Sequence, residues 1–320
     1  MNKIVLGLLL AAASLVPAQA QNYPNHVVKI VVPAGPAGPT DLLGRLIANA
    51  LQATMGQPFI IENKGGAGGA IGARAVATAA PDGYTLFVGN TATLANIPAV
   101  VKKPDYDPVK DFKPIAKIMD SYQVLVVRPD LPVKNVAELI AYAKANPGKL
   151  NYAAAGVGNI THLSGELFKN KTGTDFAIIQ YKSGGEAMTA IMSAQADFGI
   201  DNVAVTRPQI AAGKMRALAV TSAARQSALP DLPTMVEAGV PDFVVTSFFG
   251  ILAPANTPSP IVDQLHKEVV AALKTPNIVS ALDQLGSVGS TETPEQFQAS
   301  ISASLKLWKD LADKAQIKID

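Results

Sequence analysis

Hydrophobic positions along this chain alternate between short apolar runs and longer segments with helical spacing. The first run, Val28–Val32, is followed by a loop rich in Gly and Pro. Leu42, Leu43, Leu46 and Ile47 then recur at the spacings of one helix face. The pattern predicts a strand, a turn and a helix in immediate succession.

The same succession recurs through most of the sequence. Further strands are predicted at 58–62, 84–88, 123–127, 150–153, 177–181, 198–200, 217–220 and 248–252. Helices are predicted at 73–79, 135–145, 161–171, 186–195, 260–273 and 276–285, with a last helix opened by a capping box at Thr293 and Gln296. Strands that alternate with helices favour an α/β fold whose sheets are mostly parallel and covered by helices on both faces.

The polar and glycine-rich loops of this pattern follow the carboxyl ends of predicted strands. Ligands of open α/β sheets bind at that edge. The loop at 33–41 leads straight into a helix, so its backbone N–H groups and the helix N-terminus point at one place and favour an anion there. Because the loops at 33–41, 89–98 and 153–165 contain no Lys or Arg, backbone amides, hydroxyls and waters are the expected recognition groups.

The first twenty residues differ from the rest of the chain. Lys3 precedes an apolar stretch of 13 residues at 4–16, and small residues follow up to Ala20. This pattern is typical of a signal peptide cleaved after Ala20, and the apolar stretch is shorter than a membrane-spanning helix requires. The sequence therefore predicts an exported protein that starts at Gln21, and the family resemblance given below implies the periplasm as its compartment.

Composition excludes several function classes. The chain has no Cys, which rules out disulfides, thiolate metal sites and cysteine nucleophiles. Its formal net charge is only +2, without the basic face that nucleic-acid binding requires. In the glycine-rich stretch at 65–72, Ile71 stands where a dinucleotide fingerprint has its third Gly, and no phosphate-loop motif occurs. We expect no cofactor, no metal and no partner nucleic acid.

Catalytic patterns are equally sparse. There is no nucleophile elbow and no HExxH motif. Of the three histidines, His26 and His266 fit ordinary surface positions, whereas His162 opens a helix after a glycine-rich loop and fits either a ligand contact or a plain helix-start residue. Thr40 and Asp41 fit either helix capping or the site itself, and Asp201 after a strand has the same options.

The chain resembles the periplasmic solute-binding proteins of tripartite tricarboxylate transporters, the Bug family. The resemblance covers about 300 residues and is specific only when its matching stretches are taken together. They lie at 32–41, 62–69, 80–86, 106–112, 147–152, 162–168, 216–222 and 249–254.

The resemblance implies a two-lobed periplasmic binding protein fold, type II-like, in which each lobe is a mostly parallel sheet flanked by helices and two crossing strands join the lobes. Lobe 1 would contain residues 21–121 plus 249–320, and lobe 2 residues 122–248. A ligand carboxylate would be held by two loops and by residues that line the cleft. The implied ligand-binding residues are Ala34, Ala37, Gly38, Pro39, Thr40, Asp41, Asn90, Thr91, Thr93, Ala155, Gly156, Asn159, His162, Ser183 and Asp201.

Three departures from the family pattern concern the ligand. Ala34 stands where an aromatic residue is common and Ala37 where Gly is common, while Phe248 replaces a frequent Trp near the hinge. They leave the identity of the ligand open, among dicarboxylates, citrate-like acids, aromatic carboxylates and neutral amide relatives.

Three functions remain in view from the sequence. The first is a monomeric binding protein that captures a small carboxylate by hinge closure and delivers it to the integral-membrane subunits of a tripartite transporter. The second is a sensory carrier that presents the carboxylate to a membrane kinase. The third is a periplasmic lyase or hydrolase that uses His162 with Asp201. Trp308, the single Trp, falls on the last predicted helix, where we expect its fluorescence to report closure poorly.

Overall fold

The structure is a computed structural model that describes residues 23–36 and 38–318. The predicted signal peptide, its cleavage after Ala20 and the predicted site residue Ala37 lie outside the described residues. None of the described helices is long and apolar enough to cross a bilayer.

Strands and helices alternate as the hydrophobic pattern predicts. The strands are β1 (Val28–Val32), β2 (Phe59–Asn63), β3 (Thr85–Asn90), β4 (Phe112–Val127), β5 (Asn151–Ala155), β6 (Ala177–Tyr181), β7 (Phe198–Asn202), β8 (Arg216–Val220) and β9 (Thr246–Pro254). The helices are α1 (Pro39–Met55), α2 (Ala70–Ala77), α3 (Ile97–Val100), α4 (Val136–Ala145), α5 (Ile160–Thr172), α6 (Gly184–Met192), α7 (Val203–Ala211), α8 (Ser259–Ala272), α9 (Pro276–Gln284) and α10 (Pro294–Lys314). A 3₁₀ turn at Ala67–Gly69 precedes α2, and a π-helical turn at Ala92–Asn96 precedes α3.

The strands form one curled sheet with two halves. In the first half the order is β2-β1-β3-β9-β4, and in the second half β4 lies between β7 and β8, with β5 and β6 beyond β7. β1, β2 and β3 run parallel, as do β5, β6 and β7, while β4 and β9 run antiparallel to their neighbours. The predicted α/β, two-lobed fold is confirmed, and the two antiparallel strands make each half mixed.

Strand β4 is the element that joins the halves. Its first part, up to Tyr122, pairs with β9, and from Gln123 onward it pairs with β7 and β8. The sequence predicted only the second part, because Lys113, Pro114 and Lys117 interrupt the apolar run of the first. The exchange of partners makes one continuous strand part of both halves of the sheet.

Helix α10 also contacts both halves. A capping box between Thr293 and Gln296 fixes its start. Phe297 packs edge-on against Phe248 in the core beneath the first half, whereas Trp308 belongs to the same buried cluster as Phe168 of the second half. The last helix therefore spans the two halves behind the crossing strands.

Candidate functional site

A cavity of about 390 Å³ lies between the halves, at the carboxyl ends of β1, β3 and β5. From the first half it is lined by Pro39, Thr40, Gly68, Asn90, Thr91, Ala92, Asn96 and Ile97, and from the second half and β9 by Ala155, Gly156, Val157, Gly158, Asn159, Ile160, Ser247 and Phe249. The described lining residues include no Lys, Arg, His, Asp or Glu. Any charge of a ligand would therefore meet dipoles and not a counter-ion.

The first half presents the N-terminus of α1 to this cavity. Gly38 is the residue before the helix and Pro39 its first residue, a position that Pro favours because no N–H is needed there. Thr40 follows, and its Oγ1 accepts a hydrogen bond of 3.2 Å from Asn90 Nδ2. This contact ties the start of α1 to the end of β3, so that two predicted site residues line the same wall.

Asp41 lies in the same turn but serves a different purpose. Its carboxylate accepts hydrogen bonds of 2.9 Å from Arg45 Nε and 2.9 Å from Asn63 Nδ2, and the described residues that line the cavity do not include it. Asn63 Nδ2 also donates to the carbonyl of Ala34 at 3.0 Å. Asp41 is therefore tied through Asn63 to the carbonyl of Ala34, just after β1.

The turn after β3 is closed by its own side chains. Asn90 Oδ1 accepts from the N–H of Thr93 at 3.0 Å, and the hydroxyl of Thr91 accepts from the N–H of Phe248 at 2.6 Å. Thr93 is fully buried and its carbonyl accepts from Tyr106 Oη at 2.5 Å. Asn90 and Thr91 reach the cavity wall, while Thr93 holds the turn in place.

The second half presents the loop before α5. Asn159 caps this helix by accepting from the N–H of Thr161 at 3.1 Å, and the N–H of Ala155 donates to Thr161 Oγ1 at 2.7 Å. Gly156 and Gly158 have φ of 84° and 76°, a left-handed conformation that favours glycine.

These bonds leave some amides of the loop unused. The N–H groups of Gly156, Val157 and Ile160 have no acceptor among the described residues. Because Ile160 begins α5, the helix dipole adds positive potential at the same place. The loop therefore offers an anion three backbone donors at a helix N-terminus.

His162 stabilises the loop before α5 through a hydrogen bond with its backbone. Its Nδ1 accepts a hydrogen bond of 3.2 Å from the N–H of Gly158, so the proton of the neutral ring is on Nε2. Burial lowers the pKa of His162, and Glu166, whose Oε1 is 3.9 Å from Nε2, raises it by a smaller amount. The cavity-lining residues do not include His162. Its described contacts are those of a loop support.

Ser183 and Asp201 lie away from the described cavity wall. Ser183 caps α6 by accepting from the N–H of Glu186 at 3.2 Å. Asp201 is buried, and burial raises the pKa of its carboxyl to about 6 despite a hydrogen bond from the N–H of Asn202. A Cβ atom at Gly184 would lie 2.6 Å from Asp201 Oδ2, so the carboxylate packs directly against the start of α6.

Several lining residues were not predicted from the sequence. Asn96 and Ile97 belong to or follow the π-helical turn, and Ser247 and Phe249 project from β9. The π-helical turn has no periodic signature, so nothing in the hydrophobic pattern marks Asn96 as a cavity residue. Within the described residues, no group of His, Cys, Asp or Glu is arranged to hold a metal ion.

Residues 43–317 match the family described as tripartite tricarboxylate transporter family receptor. The chain belongs to this family.

Individual relatives cover nearly all of the chain. Protein BugT of Bordetella pertussis is 33% identical over 98% of this chain and 97% of its own length. Rpa4515 of R. palustris, solved with adipate, is 36% identical with a TM-score of 0.78 over 92% of this chain and 99% of that one. MatC of Rhodopseudomonas palustris, solved with bound malate, is 34% identical with a TM-score of 0.75, and the match covers 90% of this chain and 99% of that one.

The two described residues that depart from the receptor family pattern, Ala34 and Phe248, affect the cavity little. Ala34 is half-buried against the core beneath the first half and contributes its carbonyl to Asn63. Phe248 is buried against Phe297, and only its backbone contacts the turn at Thr91. Neither residue lines the described cavity wall.

Proposed function

We propose that this chain binds a small carboxylate between its lobes and delivers it to the membrane subunits of a tripartite transporter. The observation that carries the proposal is the pair of helix N-termini, α1 and α5, that face one uncharged cavity. Adipate in Rpa4515 and malate in MatC support a carboxylate as the ligand class.

The proposed site consists of the residues that the family resemblance implied. Some of them contact the ligand directly, and others hold the contacting loops in place. Direct contacts come from the α1 start and from the backbone of the loop before α5. Asp41 and His162 act as supports, because their side chains are bonded to Asn63 and to the Gly158 N–H. Ser183 and Asp201 would reach the ligand only if closure moves α6 toward it.

Capture involves closure about the crossing strands. We assign residues 21–121 plus 249–320 to lobe 1 and 122–248 to lobe 2, in keeping with the exchange of partners between Tyr122 and Gln123. The open form binds through one lobe, and rotation about β4 and β9 completes the second set of contacts. The C-terminal end of α10 bears on lobe 2 through Trp308.

Binding without turnover is the proposed activity. The enzyme hypothesis paired His162 with Asp201, but the first supports the α5 loop and the second packs against the start of α6. Export to the periplasm as a monomer, after removal of residues 1–20, completes the proposal. A sensory carrier would use the same cavity, and a membrane pull-down with and without ligand separates it from transport.

A thermal-shift screen tests the proposal. The mature protein is heated with a panel of mono-, di- and tricarboxylates and with their neutral esters as controls. A ligand at about 100 times its Kd adds about 2.7 kcal/mol, or about 5 °C in a chain of this size. Stabilisation by one class of acid, with the acid recovered unchanged, supports binding. No shift with any acid, or conversion of the acid to product, contradicts it.

A further inference from the structure

Most of the accessible residues that line the cavity are apolar. Three polar lining residues, Thr40, Thr91 and Asn96, are at most 7% exposed and offer a ligand little surface. The apolar lining residues that are partly or largely exposed are Ala92, Ile97, Ala155, Val157, Ile160 and Phe249. Beside its backbone donors, the cavity therefore offers a ligand hydrocarbon surface.

The accessible polar side chains of the cavity are already engaged within the fold. Each makes a hydrogen bond to another residue of the chain, Asn90 to Thr40, Asn159 to Thr161 and Ser247 to Gln123. These side chains offer few free partners to a ligand that carries several hydroxyl groups. A hydroxyl that loses its water on binding and finds no partner is unfavourable.

Ile97 and Phe249 are the largest of the apolar contacts that the first half and β9 provide. A Cβ atom at Gly68 would lie 2.6 Å from Ile97 Cδ1, so this glycine leaves room for the isoleucine on the same wall. Along β9, Phe248 packs against Phe297, and alternation places Phe249 on the opposite face of the strand. Apolar surface exposed in a cavity is stabilised when an apolar ligand group covers it.

We propose that the ligand carboxylate is attached to a hydrocarbon body, aliphatic or aromatic, and that Ile97 and Phe249 are specificity-determining residues that pack against this body. The inference rests on the proposed carboxylate binding and adds the class of the ligand. Polyhydroxylated acids with the same carbon skeleton bind less tightly, because their hydroxyl groups lose water without gaining partners.

Isothermal titration calorimetry at pH 7.5 with acids matched in carbon skeleton tests the inference. The pairs are hexanoate with gluconate, cyclohexanecarboxylate with quinate, and adipate with glucarate. We expect the tightest ligand to be a hydrocarbon acid that binds about tenfold or more tightly than its hydroxylated partner. A tightest ligand that is hydroxylated, or that its hydroxylated partner equals, overturns the inference. Failure of all six acids would instead refute the carboxylate binding on which the inference rests.

Shorter homologues of the tightest acid provide a second measurement that needs no variant. Each methylene group removed from the hydrocarbon body should weaken binding by up to about fourfold, because its surface is no longer withdrawn from water. The heat-capacity change of binding should become less negative at the same time. An affinity that stays constant or rises as the body is shortened would contradict the assigned contact.

The Ile97→Thr variant removes apolar surface from the cavity and keeps a branched side chain. It should weaken binding of the tightest hydrocarbon acid by about fivefold and leave its hydroxylated partner within about twofold. Ile60→Thr is the matched control and should change neither affinity, because Ile60 is 48% exposed on β2 and does not line the cavity. Equal loss for both acids in Ile97→Thr protein that circular dichroism shows to be folded overturns the inference. If this variant does not fold, the homologues decide.

Discussion

Placing a negative charge before α1 should abolish binding and leave the fold intact. Gly38 has φ of −84° and ψ of 169°, values that any residue adopts, and a Cβ built there meets no heavy atom of the described residues within 4 Å apart from its chain neighbours. Asp is also a favoured residue at the position before a helix, where its side chain accepts from first-turn amides. We therefore expect Gly38→Asp to fold as stably as the wild type.

The loss of affinity follows from the charges. The carboxylate introduced by Gly38→Asp, about 5 Å from the ligand carboxylate at an effective dielectric constant of about 20, repels it by about 3 kcal/mol. That is a loss of more than about 100-fold in affinity. The new side chain also uses amides that the ligand would otherwise bind, which adds to the loss.

Calorimetric titration with the acid that gives the largest thermal shift measures this effect. Gly38→Asn is the matched control, because it has the same shape and capping ability but no charge, and it should lose far less affinity. Circular dichroism and the unfolding temperature report folding. A folded Gly38→Asp variant with affinity within threefold of the wild type would refute the location of the carboxylate site.

Three further predictions concern the supports and the hinge. Burial raises the pKa of the Asp201 carboxyl to about 6, above its value in the unfolded chain. The folded state therefore favours the protonated carboxyl, and the stability that depends on this proton is present at pH 4 and is lost as the pH rises through 6. Asp201→Asn should therefore raise the free energy of unfolding, measured in urea, by up to about 3 kcal/mol at pH 7.5 and by little at pH 4. Equal effects at the two pH values would contradict this prediction. The Nζ atom of the buried Lys117 lies 2.8 Å from Glu292 Oε1 and 2.6 Å from Asp120 Oδ2. Lys117→Met removes these ion pairs and should lower the free energy of unfolding in urea by about 2 kcal/mol. An unchanged urea midpoint would refute the pairing. Trp308 lines a second cavity together with Val245 and Thr246 at the start of β9. If the proposed closure moves this region, saturating ligand should shift the emission of Trp308, and constant emission at calorimetric saturation would contradict movement there.

The sequence predicted the fold well where local pattern decides it. Each apolar run became a strand, and the loop at 33–41 leads into a helix whose N-terminus faces the cavity. The uncharged lining of the cavity was also predictable, because the loops that line it lack Lys and Arg. These features depend on neighbours along the chain.

Other features depend on partners that are distant in sequence. The sequence made Asp41 a candidate ligand contact, whereas its hydrogen bond to Asn63, 22 residues away, shows that it holds neighbouring structure in place. The only nearby residue that could have indicated this role is Arg45, four residues further along the helix. The first part of β4 was missed because Lys117 is polar, yet Glu292 pairs with it across 175 residues. Trp308 was expected to report closure poorly, but its place beside the crossing strands favours the opposite.

In the proposed function, unused backbone amides at the start of α5 bind the ligand carboxylate. Amide-resolved NMR of the ¹⁵N-labelled protein, titrated with the acid from the thermal screen, tests it directly. We predict the largest downfield proton shifts at Gly156, Val157 and Ile160, with Gly158 less affected because His162 already accepts from its N–H. Unmoved signals at these three amides, with the shifts concentrated near Ser183 and Asp201, would contradict it.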